Sequence, residues 1–151
     1  MTIPIICKCK PFTHSFDFQH EQRKIVTCSD KGHPKIHYIY NNKSNDYLST
    51  YRVDGGLIVK KDAKCDYLLL NCNRKQAFFI ELKGSDINHA IEQIDSSIDL
   101  LKSNIPDFTI HARIVLTRYN TINIENNPKY LQLKRKVKSL KKQTRKIEDI
   151  N

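Results

Sequence analysis

The stretch that decides the fold is residues 66–83, which reads DYLLLNCNRKQAFFIELK. Two short apolar runs, residues 67–70 and 77–82, flank a polar segment, and each has the length and composition of a strand buried on both faces. The short polar connection suits a hairpin. We therefore expect two antiparallel, neighbouring strands at the centre of the molecule.

The second of these strands ends in charged residues. Because strand side chains alternate with period two, Glu81 and Lys83 share a face with Ala77 and Phe79. A charged group that continues a buried strand costs free energy unless it is paired, binds a metal or reaches a cleft. This pattern marks Glu81 and Lys83 as candidate functional residues.

Asp66 opens the first strand, and an antiparallel hairpin places it beside Glu81. Two carboxylates and Lys83 would then converge. Hard oxygen ligands suit Mg²⁺ or Mn²⁺, which bind phosphate oxygens and lower the pKa of water, while an ammonium group can orient that water or offset developing charge. The pattern therefore favours phosphodiester hydrolysis over the alternative of a surface ion pair beside a turn residue.

These residues, the strands that frame them and the helix that follows resemble the PD-(D/E)xK nuclease superfamily, also called restriction-endonuclease-like, over roughly residues 50–120. The resemblance implies an α/β fold with a mixed central sheet flanked by helices. It also implies that Asp66 and Glu81 ligate a divalent metal and that Lys83 is the catalytic lysine. Many members carry a further acidic residue, for which Glu21 and Asp54 are both candidates here.

A helix is predicted over residues 85–103, capped by Ser85 and ended by Asn104 ahead of Pro106. Some branches of the superfamily carry Gln and Tyr four residues apart on this helix, whereas here Gln93 is followed by Ser97. We predict that Gln93 binds a substrate phosphate or a metal-bound water, the alternative being a solvent-facing residue. The apolar positions recur with helical spacing, and they are Ile87, Ile91, Ile94, Ile98 and Leu101.

The remaining chain divides into three predicted parts. Further strands are expected at residues 36–40, 57–60 and 109–116, the last returning to the same sheet after the helix. The parts are a 1–48 N-terminal extension with extra strands, a 49–120 nuclease core and a 121–151 basic C-terminal helix or tail.

The net charge of +10 is concentrated near the C-terminus, because residues 129–151 contain nine Lys or Arg and two acidic residues. Leu133, Val137 and Leu140 would form a narrow apolar stripe on a basic helix whose other faces meet phosphate, the alternative being a solvated tail. Nucleic acid, with DNA favoured over RNA, is the expected partner. The residues predicted to bind it are Lys134, Arg135, Lys138, Lys141, Lys142 and Arg145.

A chain of 151 residues, 39% hydrophobic and 28% charged, suits one domain with appendages. It contains no run of membrane-spanning length and no signal-peptide pattern, so we expect a cytoplasmic protein with no membrane partner. Five scattered cysteines indicate reduced thiols. Because Cys7, Cys9 and Cys28 lack paired spacing with one another or with histidine, buried thiols are favoured over a zinc site.

The sequence thus predicts a Mg²⁺- or Mn²⁺-dependent nuclease, either free-standing, as a homodimer, or as a subunit of a larger nuclease assembly. A Holliday-junction resolvase is one alternative within this class, since such enzymes are small, basic members of the superfamily. A non-catalytic nucleic-acid-binding module on the same fold is an alternative from a different class.

Overall fold

The computed structural model describes residues 9, 11–12, 19–30, 32–58, 64–83, 86–118 and 124–151, with the backbone alone at residues 19, 20, 33, 34 and 83. Within these ranges the chain forms nine strands and two α-helices. The strands are β1 (Gln19–Glu21), β2 (Ile25–Asp30), β3 (His33–Asn41), β4 (Leu48–Arg52), β5 (Tyr67–Asn71), β6 (Gln76–Lys83), β7 (Thr109–Leu116), β8 (Ser139–Thr144) and β9 (Lys146–Ile150). The helices are α1 (Ile87–Leu101) and α2 (Pro128–Lys136).

The strands form two sheets, which confirms the predicted mixed α/β class. A six-stranded sheet has the order β1-β4-β5-β6-β7-β8 and a three-stranded sheet has the order β2-β3-β9. In the larger sheet β1, β4, β5 and β6 are antiparallel neighbours, whereas β6, β7 and β8 run parallel. The parallel pair β6 and β7 is connected through α1, as a parallel crossover requires.

The predicted hairpin is confirmed, since β5 and β6 are antiparallel and Tyr67 pairs with Ile80. The predicted alternation of faces is confirmed as well. Phe79 packs in the apolar cluster beneath α1 and α2, while Phe78 and Ile80 pack in a second cluster against the three-stranded sheet. The six-stranded sheet is therefore the middle of three layers.

Helix α1 buries all five of its predicted apolar residues and is followed by a 3₁₀ turn, Lys102–Asn104, at the predicted end. Its N-cap was predicted wrongly. The carboxylate of Asp86, not the hydroxyl of Ser85, accepts a hydrogen bond from the His89 N–H at 3.0 Å, and Ser85 itself lies outside the described residues. Both residue types are good N-caps, so the local sequence did not separate them.

The strand predicted at residues 57–60 occurs earlier in the sequence than expected. The pairing strand is β4, whereas Leu57 and Ile58 belong to a chain reversal and residues 59–60 lie outside the described residues. The reversal needs two glycines: Gly55 has φ +79°, and a Cβ on Gly56 would lie 2.1 Å from the carbonyl oxygen of Arg52. The predicted bend at these glycines is thus present, but it follows the strand.

The basic C-terminal helix is shorter than predicted. Helix α2 ends at Lys136, β8 then pairs with the exposed edge of β7, and β9 pairs with β3. Backbone pairing along an open sheet edge outweighs the weak helical pattern of this segment. The predicted apolar stripe still contacts the core, with Leu133 on α2, Val137 just after it and Leu140 on β8.

Two cysteines are placed for a disulfide, which the sequence did not predict. Cys9 and Cys72 face each other with their Cα atoms 5.3 Å apart. Cys28 and Cys65 are free and buried, whereas Cys7 lies outside the described residues. The pairing was missed because it links residues far apart in sequence, with no local spacing to indicate it. No helix in the described ranges is long and apolar enough to cross a membrane.

Candidate active site

Asp66 and Glu81 lie side by side on two central strands of the six-stranded sheet, where β5 begins and β6 ends. The Asp66 N–H donates to the Ile80 carbonyl at 3.1 Å, and the Leu82 N–H donates to the Asp66 carboxylate at 2.8 Å. The first bond extends the β5–β6 pairing by one residue, and the second ties the Asp66 side chain to β6, so that Asp66 lies opposite Glu81. The hairpin register therefore places the two predicted carboxylates together.

This carboxyl pair is withdrawn from solvent. Glu81 is only 2% exposed and Asp66 is partly buried. Burial raises the pKa of Asp66, hydrogen bonds from Glu81 and Leu82 oppose that rise, and the nearby Asp30 and Asp54 carboxylates reinforce it. Two carboxyl groups this close favour protonation of one of them or the binding of a cation.

The donor set of this pair fits Mg²⁺ or Mn²⁺. Magnesium is commonly bound by one or two carboxylates, with waters and substrate phosphates as its other ligands. Among the described residues, no three His, Cys, Asp or Glu side chains are grouped so that they could hold a metal ion. Asp66 and Glu81 are therefore the pair of carboxylates to which the sequence-based prediction of a metal site applies.

Lys83 continues β6 two residues beyond Glu81, and its backbone pairs with Leu116 of β7. Its side chain lies outside the described residues. The catalytic role of Lys83 stays a prediction.

Gln93 lies next to the segment that leads into Asp66. Its side-chain amide donates to the carbonyl of Lys64 at 3.1 Å, and the Ser97 hydroxyl, one turn later, accepts from the Cys65 N–H at 2.8 Å. The Gln93 Oε1 atom is buried and has no hydrogen-bond partner within the described part of the chain. Gln93 and Ser97 thus both hold the backbone that immediately precedes Asp66, and the predicted contact of Gln93 with a substrate phosphate or a metal-bound water stays a prediction.

Only one of the two candidates for a further acidic residue lies near the pair. Glu21 pairs with Arg23 at 3.0 Å and is registered with Leu48, which pairs with Asn71 at the far end of β5 from Asp66. Asp54, in contrast, is close enough for its charge to raise the pKa of Asp66.

Asp30 is a neighbour that the sequence did not reveal. It ends β2 and lines, with Ser29, Arg52 and Tyr67, a cavity of about 200 Å³ that reaches Asp66. No local motif marks this residue. Its proximity results from packing of the three-stranded sheet against the larger one, which only long-range information could predict.

The six predicted nucleic-acid-binding residues do not share one surface, so their placement on a single basic helix is wrong. Lys134 and Arg135 are exposed on α2, and Lys138 is exposed at the amino end of β8. The other three cations, on or just after β8, differ in whether they form an ion pair. Lys141 pairs with Asp149, Lys142 pairs with Glu125, and Arg145 is exposed at the carboxyl end of β8.

Position along the parallel strands separates these cations further. The Lys138 N–H bonds to Ile110 near the start of β7, whereas the Arg145 N–H bonds to Leu116 at its end. Lys83 pairs with Leu116, so Arg145 lies at the same end of the parallel strands as the carboxyl pair. Lys138 lies at the opposite end of these strands.

No family model matches this chain, and comparisons with curated proteins and with solved structures found no match. The resemblance to PD-(D/E)xK nucleases therefore depends on the residues themselves.

Proposed function

We propose that this protein is a metal-dependent nuclease in which Asp66 and Glu81 hold Mg²⁺ or Mn²⁺. The observation that carries the proposal is the hairpin register, which places Asp66 opposite Glu81 at the end of a central strand, with Glu81 almost fully buried. Acidic side chains grouped in this way at a strand end are typical of functional sites.

A restriction-endonuclease-like fold is part of the same proposal. Three features support it: an antiparallel β4-β5-β6 unit, a parallel β6-α1-β7 unit that follows it, and the carboxyl pair at their junction. The resemblance implied a mixed sheet flanked by helices, and these features are compatible with it.

The bound metal ion would supply charge neutralisation at the phosphate and a lowered pKa for water. The chain supplies orientation. The backbone N–H of Leu82 fixes the Asp66 carboxylate, while Gln93 and Ser97 hold the segment before it. Lys83, two residues beyond Glu81, is proposed to orient water or offset charge in the transition state.

Nucleic acid is the proposed substrate, with DNA favoured over RNA. The exposed cations Lys134, Arg135, Lys138 and Arg145 would add sequence-independent affinity that declines with salt. Because these cations lie at different ends of the parallel strands, we expect each to contribute to nucleic-acid affinity separately.

One observation favours the alternative of a non-catalytic nucleic-acid-binding module. The described residues offer two grouped carboxylates here and no three-ligand metal cluster. A protein that had lost its chemistry could retain such a remnant.

A cleavage assay tests the proposal. Labelled single-stranded, double-stranded and branched DNA, and RNA, are incubated with the protein in Mg²⁺, in Mn²⁺ and in EDTA. We expect divalent-dependent cleavage that Asp66→Ala and Glu81→Ala abolish, with partial recovery in Mn²⁺, which binds these ligands more tightly than Mg²⁺. Lys83→Ala should lose about 10²–10³-fold without such recovery, and Gln93→Ala should lose less.

Asp107→Ala is the matched control, because it removes an exposed carboxylate far along the chain from the pair. It should cleave like the wild type. Full activity of Glu81→Ala or Lys83→Ala would contradict the mechanism, and an inactive wild type that still binds every substrate would favour the binding module.

A further inference from the structure

A groove leads away from Asp66, the member of the carboxyl pair that lies nearest the three-stranded sheet. The cavity of about 200 Å³ beside Asp66 shares Arg52 and Tyr67 with a second cavity of about 250 Å³ that extends to Arg23. We call the combined depression the Arg52 groove. It is lined by Asp66, Tyr67, Arg52, Thr50, Thr27 and Arg23.

The register of the sheet explains why these side chains line one surface. Arg52 pairs with Tyr67 across β4 and β5, and Thr50 lies two residues before Arg52 on the same face. Strand β2 forms the opposite wall, because the Tyr67 hydroxyl donates to the Ser29 carbonyl at 3.0 Å. The groove is thus a fixed feature of the packing between the two sheets.

The two ends of the groove differ in charge. Asp66 and Asp30 lie at one end, whereas Arg52 and Arg23 lie along the rest. The Nε atom of Arg52 donates to the Asp54 carbonyl at 3.2 Å, which orients a guanidinium group that has five N–H donors in all. Arg23 is exposed and forms an ion pair with Glu21 at 3.0 Å, and a solvent-accessible pair of this kind holds a cation weakly.

This polarity matches a nucleic-acid strand. A cation at the carboxyl end would receive one phosphate, and planar guanidinium groups are suited to further phosphates of the same backbone. The hydroxyl groups of Thr27 and Thr50 add hydrogen-bonding capacity between the arginines.

We propose that the Arg52 groove binds the phosphodiester backbone of the substrate strand, with Arg52 contacting the phosphate next to the carboxyl pair and Arg23 contacting one farther along. The inference rests on the proposed nuclease function for the identity of the ligand. It assigns the main backbone contacts to this groove rather than to the cations of α2.

Binding can be measured without cleavage. Anisotropy of a fluorescein-labelled single-stranded oligonucleotide is followed in EDTA over a series of salt concentrations. We expect Arg52→Gln to weaken binding about tenfold, as loss of a charge-assisted hydrogen bond does. It should also reduce the slope of log K against log salt by about 0.7, the value for one phosphate contact on a single strand.

Arg23→Gln should reduce the same slope by a similar amount. Lys43→Gln is the charge-matched control, because Lys43 is exposed next to Asn42 and Ser44, which are linked to Asp46 and Arg74 at the Asn71 end of β5. It should leave the slope and the affinity unchanged. Arg52→Lys keeps the charge while losing the planar fork, so it should keep the slope with reduced affinity.

Wild-type affinity and slope in a folded Arg52→Gln protein would overturn the inference, as would an equal loss in Lys43→Gln. If Arg52→Gln does not fold, Arg52→Lys and Arg23→Gln decide, and wild-type affinity in both would overturn it. Because EDTA prevents metal-dependent cleavage, an inactive protein that binds through Arg52 would support this inference while sinking the nuclease. An active nuclease that binds independently of Arg52 would do the reverse.

Discussion

Two clusters of buried charge involve strands of the six-stranded sheet, and their charges are arranged differently. Arg113 and Asp149 have side chains only 3% and 9% exposed, and the guanidinium donates to the carboxylate at 2.7 and 3.2 Å. The Tyr38 hydroxyl and the Lys141 ammonium group also contact Asp149, at 2.8 and 2.9 Å. Every buried charge in this cluster has an opposite charge from the same chain.

The cluster of Asp66 and Glu81 brings two acidic side chains together, and a backbone N–H of Leu82 donates to the Asp66 carboxylate. The contrast indicates that the Arg113 cluster serves the fold, because opposite charges meet in it. The carboxyl pair has the arrangement that the proposed metal site requires.

The largest expected effect breaks the structural cluster. Arg113→Met leaves Asp149 buried without its main partner, so the free energy of unfolding should fall by about 3–5 kcal/mol. Urea denaturation followed by circular dichroism measures this. The double variant Arg113→Met with Asp149→Leu should recover much of the loss, since it removes both charges. A loss below about 1 kcal/mol in the single variant would show that the cluster is not structural.

At the carboxyl pair we expect a substitution to increase the free energy of unfolding, by less than Arg113→Met decreases it. Without metal, Glu81→Gln replaces a carboxyl group that is 2% exposed with a neutral amide of the same shape, so it removes the cost of burying the ionised form and should raise the free energy of unfolding by about 0.5–2 kcal/mol. Glu148→Gln, at an exposed residue paired with Lys146 at 2.9 Å, is the control and should change stability by less than about 0.5 kcal/mol. A clear destabilisation by Glu81→Gln would argue that the pair is structural.

The smallest effect is a difference in pH dependence. Burial alone would raise the pKa of Asp149, but hydrogen bonds and charge from Arg113, with Lys141 and Tyr38, lower it below the ordinary 3.8. The stability that this carboxylate contributes is therefore present above pH 3.8 and is lost as the pH falls through the lowered value. Asp66 has the opposite sign, because its pKa lies above 3.8 and its ionised form costs stability at neutral pH.

Urea midpoints measured in EDTA across pH distinguish the two. The difference between wild type and Asp66→Asn should shrink as the pH falls from neutral towards 3.8. The difference between wild type and Asp149→Asn should shrink only below 3.8. A common pH window for both variants would remove the distinction between the clusters.

The carboxyl pair could be predicted from sequence because its geometry is local. Asp66 and Glu81 belong to one hairpin, whose short connection and period-two pattern fix both register and faces. Helix α1 was predictable for a related reason, since its apolar stripe repeats with helical spacing.

The cluster of Arg113 and Asp149 could not be predicted, because its members are far apart in sequence and each interrupts the hydrophobic pattern of its strand. Strand β9 alternates exposed and buried residues, but one of its two buried positions holds Asp149 in place of an apolar residue. Arg113 similarly interrupts the apolar run of β7. Taken alone, each charged residue predicts a solvent-exposed position. Only the pairing of the two explains their burial, and they are 36 positions apart in the sequence.

The most direct test of the account is the effect of metal on stability. Thermal unfolding of the wild type and of Glu81→Gln is measured while Mg²⁺ or Mn²⁺ is titrated into metal-free protein. The wild type should be stabilised, by about 2.7 kcal/mol when the free metal reaches about 100 times its dissociation constant, whereas Glu81→Gln should be stabilised far less. A wild-type midpoint that does not respond to either metal, or an equal rise in Glu81→Gln, would contradict the claim that Asp66 and Glu81 form a metal site.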